Sequence, residues 1–176
     1  TGSNMAHCHP VVFMRLAELK ELKGDALKII VADPRMTATA KAADIYLPVI
    51  PGTDVVLLNA IAHVMIEEGL VDDDYIKSYT DGYEELKEGV KDFSPDKVSR
   101  ICGISSETII DTARTIGKSE AFMTFWAMGL NQSSYGTDKN NALLNLSIIT
   151  GNIGKPGAGP FSLTGQANAM GGRETG

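Results

Sequence analysis

The sequence predicts an α/β fold, in which a mostly parallel, Rossmann-like sheet is flanked by helices. Three short apolar runs, at residues 28–32, 45–50 and 121–127, have the length and the β-branched or aromatic content of buried strands. Segments with a helical pattern separate these runs, and turn residues follow each of them. This alternation is typical of a parallel sheet, because parallel neighbours need a crossover connection between them.

The helices are predicted from their boundary residues and their apolar patterns. Pro10 suits the first turn of a helix that Gly24 ends. A short Ala/Thr-rich helix is predicted at 37–43, and a longer one at 138–149. The helix at 55–68 is apolar on nearly all sides, so we expect it to be buried.

Two segments differ in character from this α/β pattern. Residues 72–117 contain short amphipathic helices and many acidic residues, and we expect a small helical insert that carries no chemistry. From residue 150 onward glycines are frequent and periodicity is nearly absent, so an irregular Gly-rich tail is predicted. We therefore predict an α/β domain over 1–160, followed by an irregular segment over 161–176.

Composition and charge exclude several classes of function. The chain has 16 basic and 22 acidic residues, and its formal net charge of -6 is a poor match to a nucleic acid backbone. No apolar run reaches the roughly 18 residues that a membrane helix needs. No basic stretch followed by an apolar segment opens the chain, so no signal peptide is predicted. We expect a cytoplasmic protein that neither binds nucleic acid nor inserts into a membrane.

Loops that follow the predicted strands are the expected ligand site. In a parallel sheet, ligands bind beyond the carboxyl ends of the strands. The loops at 33–35, 51–54 and 128–132 each follow a predicted strand, so they should gather along one edge of the sheet. If the residues before Thr1 form another strand, residues 2–8 join that edge as a strand-to-helix loop. This is the geometry of a nucleotide site.

Polar residues in these loops suit the parts of a nucleotide. Residues 2–4, with the sequence Gly-Ser-Asn before a helix start, suit the approach of backbone N–H groups to a phosphate. Asp33 suits the two hydroxyls of a ribose, or it forms a turn with Pro34. Asp54 suits the N1 and N2 donors of a guanine, which adenine lacks, or it caps the helix that follows. The residues alone leave these alternatives open.

Other reactive side chains do not form a predicted catalytic or metal site. His7, Cys8 and His9 are consecutive, so they rarely point at one ion, and a zinc site needs further ligands. Met128 and Gln132 follow the third strand, where a thioether and an amide are placed to contact a ligand. The spacing shows no Ser/His/Asp triad, Walker loop or paired carboxylates. It predicts a nucleotide-site scaffold with no catalytic group and no metal ligand.

Five sequence motifs occur in a characteristic order and spacing. They are Gly-Ser-Asn-Met-Ala-His-Cys-His-Pro (2–10), Asp-Pro-Arg (33–35), Pro-Gly-Thr-Asp (51–54), Met-Gly-Leu-Asn-Gln (128–132) and Thr-Gly-Asn-Ile-Gly-Lys-Pro-Gly (150–157). In this arrangement they resemble the bacterial molybdopterin oxidoreductases, the group that contains formate dehydrogenases and assimilatory and periplasmic nitrate reductases. The resemblance spans nearly the whole chain.

The resemblance implies a molybdenum bis(molybdopterin guanine dinucleotide) cofactor, which two related α/β domains bind in the full protein. This chain resembles the first of those domains, so residues 1–160 are expected to bind the cofactor. The nucleotide contacts of the family map onto the loops that the sheet polarity selects, at Gly2, Ser3, Asn4, Met5, Asp33, Pro34, Arg35, Gly52, Thr53, Asp54, Met128 and Gln132.

The substrate is indicated by residues 159–174, which resemble nitrate reductases, especially assimilatory ones. At the position of Thr164 formate dehydrogenases carry an arginine, expected to hold the formate carboxylate, and a neutral threonine suits oxygen-atom transfer better. Because this segment approaches the metal in the family, Thr164 and Gln166 are candidates for the pocket wall. The resemblance therefore implies a domain of a nitrate reductase that reduces nitrate to nitrite, with a formate dehydrogenase as the alternative.

The remaining parts of such an enzyme are expected outside these residues. They are the cysteine motif for a [4Fe–4S] cluster, the cysteine or selenocysteine on molybdenum, and the second dinucleotide domain. The expected partners are the pterin dinucleotide, the remaining domains of the parent polypeptide, and an electron-transfer protein or subunit. The chain alone is expected to be inactive. A stand-alone, non-catalytic nucleotide-binding or regulatory module is the alternative from another class.

Overall fold

The computed structural model describes residues 1–163 and 165. The helices are α1 (Met5–Cys8), α2 (Pro10–Lys23), α3 (Ala38–Lys41), α4 (Asp54–Glu67), α5 (Asp73–Tyr79), α6 (Tyr83–Val90), α7 (Pro95–Cys102), α8 (Ser106–Gly117), α9 (Met128–Asn131) and α10 (Gly136–Ile149). The strands are β1 (Ile30–Ala32), β2 (Ile45–Leu47), β3 (Met123–Trp126) and β4 (Gly159–Ser162). In this described part of the chain, no helix has the length and apolar character needed to cross a membrane.

The strands form two separate parallel pairs, which the first residues of the chain connect. β1 pairs with β2, and β3 pairs with β4. The Thr1 amino group donates to the carbonyl of Phe125 at 2.7 Å, and the N–H of Gly2 donates to the carbonyl of Ala32 at 3.3 Å. Thr1 and Gly2 therefore lie between β1 and β3. The predicted α/β class with a mostly parallel sheet is confirmed.

The strands are shorter than the apolar runs that predict them. In the first pair Ile30 lies opposite Ile45, and the pairing ends with Ala32 opposite Leu47. Pro48 follows immediately, and a proline has no N–H to donate to the ladder. The apolar run therefore continues beyond the point where the backbone stops pairing.

β4 lies in the tail that the sequence analysis predicts to be irregular, and for residues 159–162 that prediction is wrong. Gly159 has a φ of +124°, and proline follows it, so neither residue has a strand preference. Pairing with β3 forms the strand instead, and the Phe161 ring stacks on Phe125 with centroids 5.7 Å apart. β4 continues across residue 160, and the division into domains at that point stays a prediction.

α4 forms the centre of the hydrophobic core. It packs against α7, α8 and α10. Ala60 and Met65 of α4 are fully buried, together with Ile109 of α8 and Leu146 of α10. Each large apolar side chain buried in this way contributes about 1.5–3 kcal/mol. The expectation that this nearly uniformly apolar helix is buried is confirmed.

The predicted helical insert contains α5 to α8. The hydroxyl of Ser105 caps α8 by accepting the N–H of Thr108 at 3.1 Å. Val98 and Cys102 of α7 are buried in the core, so the thiol of Cys102 is a packing element. The insert thus completes the apolar environment of α4 on the side of α7 and α8.

Candidate nucleotide site

Three of the predicted loops meet at the carboxyl ends of the strands. The N–H of Asp33, just after β1, donates to the carbonyl of Leu47 at the end of β2, at 3.2 Å. Gly2 bonds to Ala32 at the end of β1, and the N–H of Gly129, after β3, donates to the carbonyl of Gly2 at 3.1 Å. The loops that begin at residues 2, 33 and 128 therefore share one edge of the sheet.

Gly2 and Gly129 allow two of these loops to approach closely. Gly2 has a φ of +59°, in the left-handed region that favours glycine. A Cβ on Gly129 would lie 2.6 Å from the Cα of Gly2, and a Cβ on Gly2 would lie 2.8 Å from Leu130 Cδ1. Contact between the two loops already explains both glycines, without a bound phosphate.

The loop from Asn4 to α1 is held by a threonine of α3. The hydroxyl of Thr39 donates to Asn4 Oδ1 at 3.0 Å and accepts the N–H of Ala6 at 2.9 Å. Asn4 occupies the N-cap position of α1, but its side chain makes no capping bond. α1 is a single turn that ends at Cys8, so its dipole contributes less to an anion site than the predicted helix start suggested.

Ser3 and Met5 are both buried, but only Ser3 carries a polar group that lacks a partner among the described residues. Met5 is buried at 5% exposure and belongs to the apolar interior. Ser3 is also buried, and its hydroxyl has no hydrogen-bond partner within residues 1–163 and 165. A buried hydroxyl without a partner is unfavourable unless something else supplies one, and a ligand oxygen or nitrogen fits that requirement.

Asp33 is fixed by the turn that follows β1. It is 5% exposed, and its Oδ1 accepts the N–H of Arg35 at 2.8 Å, while its carbonyl accepts the hydroxyl of Tyr46 at 2.9 Å. The turn-forming interpretation of Asp33 is therefore confirmed. A ribose contact stays compatible with it, because an ionised carboxylate has about four acceptor positions. Pro34 and Arg35 themselves are exposed on this turn.

The turn before α4 leaves open space above its backbone. Gly52 has a φ of +92°, and no atom lies within 4 Å of the position its Cβ would take. Thr53 is the N-cap residue, but its hydroxyl donates back to the carbonyl of Ile50 at 2.8 Å. Asp54 begins α4, so it is the first residue of the helix and not its N-cap.

Asp54 forms an ion pair with Lys139 that the sequence pattern does not predict. The ammonium of Lys139 in α10 lies 2.8 Å from Asp54 Oδ2, and the two side chains are 9% and 15% exposed respectively. A signal was present in the sequence, because Lys139 lies one turn before buried apolar residues of the same helix. An ammonium in such a place requires a counter-charge. Helical periodicity alone did not identify which carboxylate supplies it.

The carboxylates of Asp33 and Asp54 both interact electrostatically with the Thr1 amino group. Burial lowers the pKa of the Thr1 amino group from 8.0 to about 6, and the carboxylates of Asp33 and Asp54 both act in the opposite direction. Both carboxylates therefore lie within electrostatic range of Thr1, between β1 and β3.

The loop after β3 is a single helical turn. Met128 begins α9, and the N–H of the exposed Gln132 donates to the Met128 carbonyl at 2.9 Å. Asn131 links this turn to both strands, since its Oδ1 accepts the indole N–H of Trp126 at 3.0 Å and its Nδ2 donates to Ser162 at 2.9 Å. The turn is consequently held in place beside the edge of the sheet.

The donor set of these loops fits a nucleotide. Two carboxylates offer acceptors for hydroxyl and N–H donors, the buried Ser3 hydroxyl needs a partner, and the space above Gly52 is open. Within the described residues, His, Cys, Asp and Glu side chains nowhere form a cluster of three able to hold a metal ion. Thr164 and Gln166, the pocket-wall candidates, lie outside the described residues.

Comparisons with known proteins agree with this picture. The model of the molybdopterin oxidoreductase family matches residues 1–176. A nitrate reductase of Synechocystis sp. is 46% identical over 99% of the chain, and the alpha subunit of an F420-dependent formate dehydrogenase of Methanocaldococcus jannaschii is 47% identical over 97%. The chain spans 24% and 25% of the lengths of these two relatives.

A solved structure shows the same similarity in three dimensions. Acetylene hydratase from Pelobacter acetylenicus superposes with a TM-score of 0.75 and is 31% identical in sequence. The match covers 81% of this chain and 20% of that protein. The two relatives and the solved structure therefore each match this chain with one part of a much longer protein.

Proposed function

Because the chain belongs to the molybdopterin oxidoreductase family, we propose that it binds the guanosine end of a molybdenum bis(molybdopterin guanine dinucleotide) cofactor. The observation that supports this most is the meeting of the loops that begin at residues 2, 33 and 128 at the carboxyl ends of the strands. Ligands of open parallel sheets bind beyond those ends. The position of the loops and the family thus support the same site.

Each side chain has a role that follows from its chemistry. Asp33 accepts the ribose hydroxyls, and Asp54 accepts the N1–H and N2–H donors of guanine. The Ser3 hydroxyl, which lacks a partner among the described residues, donates to a phosphate oxygen. Further contacts come from the same loops, at Gly2, Asn4, Met5, Pro34, Arg35, Gly52, Thr53, Met128 and Gln132. The site binds and orients, and none of these residues needs to react.

We further propose that the longer protein is a nitrate reductase. The 46% identity to the Synechocystis enzyme supports this, and so do residues 159–174, which resemble nitrate reductases. When bound, the pterin-held molybdenum supplies the oxygen-atom transfer that converts nitrate to nitrite. A [4Fe–4S] cluster and an electron-transfer partner belong to this proposal, and both lie outside these 176 residues.

Formate oxidation is the second candidate activity. The formate dehydrogenase subunit of M. jannaschii is as similar in sequence as the nitrate reductase, at 47% identity. Thr164 argues against it, because the family's formate dehydrogenases are expected to carry an arginine there for the formate carboxylate. Nitrate- and formate-dependent turnover of a redox dye by the longer, cofactor-loaded protein distinguishes the two. Formate oxidation without nitrate reduction would assign the alternative.

Nucleotide binding by the chain itself is tested by titration calorimetry. We expect GDP to bind more tightly than ADP, because only guanine offers two adjacent donors to Asp54. Asp54→Asn should reduce this preference. Asp33→Asn should weaken the binding of both nucleotides, since both contain ribose. Asp25→Asn is the matched control, because the Asp25 side chain is 96% exposed and precedes β1, whereas the loops of the site follow the strands. Equal affinities for GDP and ADP would contradict guanine recognition.

A further inference from the structure

Lys139 is a charged residue on the buried side of α10. It is 7% exposed, in a helix whose following turns bury Ala142, Leu143 and Leu146. Its ammonium lies 2.8 Å from Asp54 Oδ2. A lysine buried among apolar side chains is strongly unfavourable unless a counter-charge compensates it. Lys139 and Asp54 therefore depend on each other for their positions.

The Lys20–Asp44 ion pair differs from the Lys139–Asp54 pair in how its carboxylate is used. Lys20 also lies 2.8 Å from an aspartate, Asp44, but there the other carboxylate oxygen accepts the N–H of Ile29 at 2.8 Å. That pair connects α2 to the residue before β2, and its carboxylate uses both oxygens within the fold. In the other pair, Lys139 contacts Oδ2 of Asp54. Asp54 begins α4, two residues after Gly52, where the space around the backbone is open.

We propose that Lys139 is a positioning residue that holds the Asp54 carboxylate in one orientation for guanine. The ion pair uses one of about four acceptor positions on the carboxylate, so positions remain for the N1–H and N2–H of the base. A carboxylate acceptor forms strong hydrogen bonds, and one that is already ordered loses less entropy on binding. This inference rests on the proposed function, in which Asp54 recognises guanine.

The test compares GDP and ADP affinities for four forms of the chain by titration calorimetry. Lys139→Met should lower the GDP affinity about tenfold and the ADP affinity much less, the loss expected when one charge-assisted hydrogen bond is weakened. Lys139→Arg should restore most of the preference, because it keeps the counter-charge. Lys20→Met is the matched control, since it removes a lysine at the same 2.8 Å distance outside the site. It should leave the GDP-to-ADP ratio unchanged.

A double variant separates positioning from general stability. If Lys139 acts through Asp54, Asp54→Asn and Asp54→Asn/Lys139→Met should show the same GDP-to-ADP ratio. A Lys139→Met protein that keeps the wild-type ratio would overturn the positioning role and leave guanine recognition intact. A wild-type protein that does not distinguish GDP from ADP would overturn the proposed function, and the positioning role with it.

A measurement on the unaltered chain covers the case in which Lys139→Met does not fold. The ¹⁵N signal of the Lys139 ammonium reports on its ion pair with Asp54. GDP should shift this signal by changing the hydrogen bonding of the shared carboxylate, and ADP should shift it less. An unchanged signal at saturating GDP would overturn the proposal.

Discussion

The side chain of Asn152 joins the turn after α10 to the residue before β3. Its Oδ1 accepts the backbone N–H of Phe122 at 2.9 Å, and its Nδ2 donates to the carbonyl of Thr150 at 3.0 Å. Asn152 is 2% exposed, so water has little access to these bonds. This amide therefore helps to fix the entry into β3, together with the bond from the N–H of Gly159 to the carbonyl of Phe122 at 3.0 Å.

Replacing this amide should therefore destabilise the fold. We expect Asn152→Ala to lower the free energy of unfolding by about 1–3 kcal/mol, because it leaves a buried N–H without its acceptor. Urea denaturation measures the loss, and hydrogen exchange should show the amide of Phe122 exchanging faster. Asn141→Ala, on the exposed side of α10, is the control and should change stability little. Unchanged protection of Phe122 would contradict the role assigned to Asn152.

Gly129 should tolerate no side chain. Its Cβ would lie 2.6 Å from the backbone of Gly2, so we expect Gly129→Ala to cost about 1–3 kcal/mol through displacement of the two loops. GDP binding should weaken as well, since these loops belong to the proposed site. Gly89 in α6 is the matched control: its Cβ would meet nothing within 4 Å, and Ala there should stabilise by about 0.5–1 kcal/mol. Thermal denaturation of the two variants should shift in opposite directions.

The core around α4 should be sensitive to loss of volume. Met65 is fully buried, so we expect Met65→Ala to lower the free energy of unfolding by about 2–5 kcal/mol, as truncations of this kind usually do. Met36 is 55% exposed, and the same substitution there should change stability by less than about 0.5 kcal/mol. Equal midpoints in chemical denaturation for both variants would place the core elsewhere.

Stability should fall in acid through Asp44. Burial raises the pKa of Asp44, but the hydrogen bonds from Lys20 and the N–H of Ile29 more than offset it, so the pKa lies below 3.8. A carboxyl group with a lowered pKa in the folded state contributes stability that is complete above 3.8 and is lost as the pH falls through the lowered value.

Asp44→Asn should therefore be less stable than the wild type at neutral pH and should approach it in acid. Denaturation series between pH 2 and pH 7 measure this difference. Asp81→Asn, on the exposed loop between α5 and α6, is the control. Its free energy of unfolding should change with pH as that of the wild type does. A difference between Asp44→Asn and the wild type that does not change with pH would contradict the assignment.

Much of the architecture follows from local patterns in the sequence. Pro10 begins α2 where a proline suits the first turn, and the apolar composition of α4 places it in the core. The first three strands coincide with short apolar runs. These features depend on properties of neighbouring residues, namely backbone geometry and burial of one or more faces, so they can be predicted from the sequence.

The nucleotide site was predicted as a set of loops and not as a set of contacts. Sheet polarity indicated that the loops after β1 and β3 share an edge, and the structure brings Asp33, Gly2 and Gly129 together there. The pairing of Asp54 with Lys139 was not predicted, because the two residues are separated by α5 to α9 and β3. Periodicity identifies a face of a helix but not which distant carboxylate faces it.

The α/β class, the buried helix α4 and the loops that follow the strands can be read from local sequence patterns, because each depends on interactions between near neighbours. Only the tertiary structure decided that residues 159–162 form β4, since a Gly-Pro segment extends there by pairing with β3. It also decided that Thr1 and Gly2 lie between β1 and β3. Both outcomes depend on backbone hydrogen bonds between distant segments, and such bonds leave no periodic trace in the sequence.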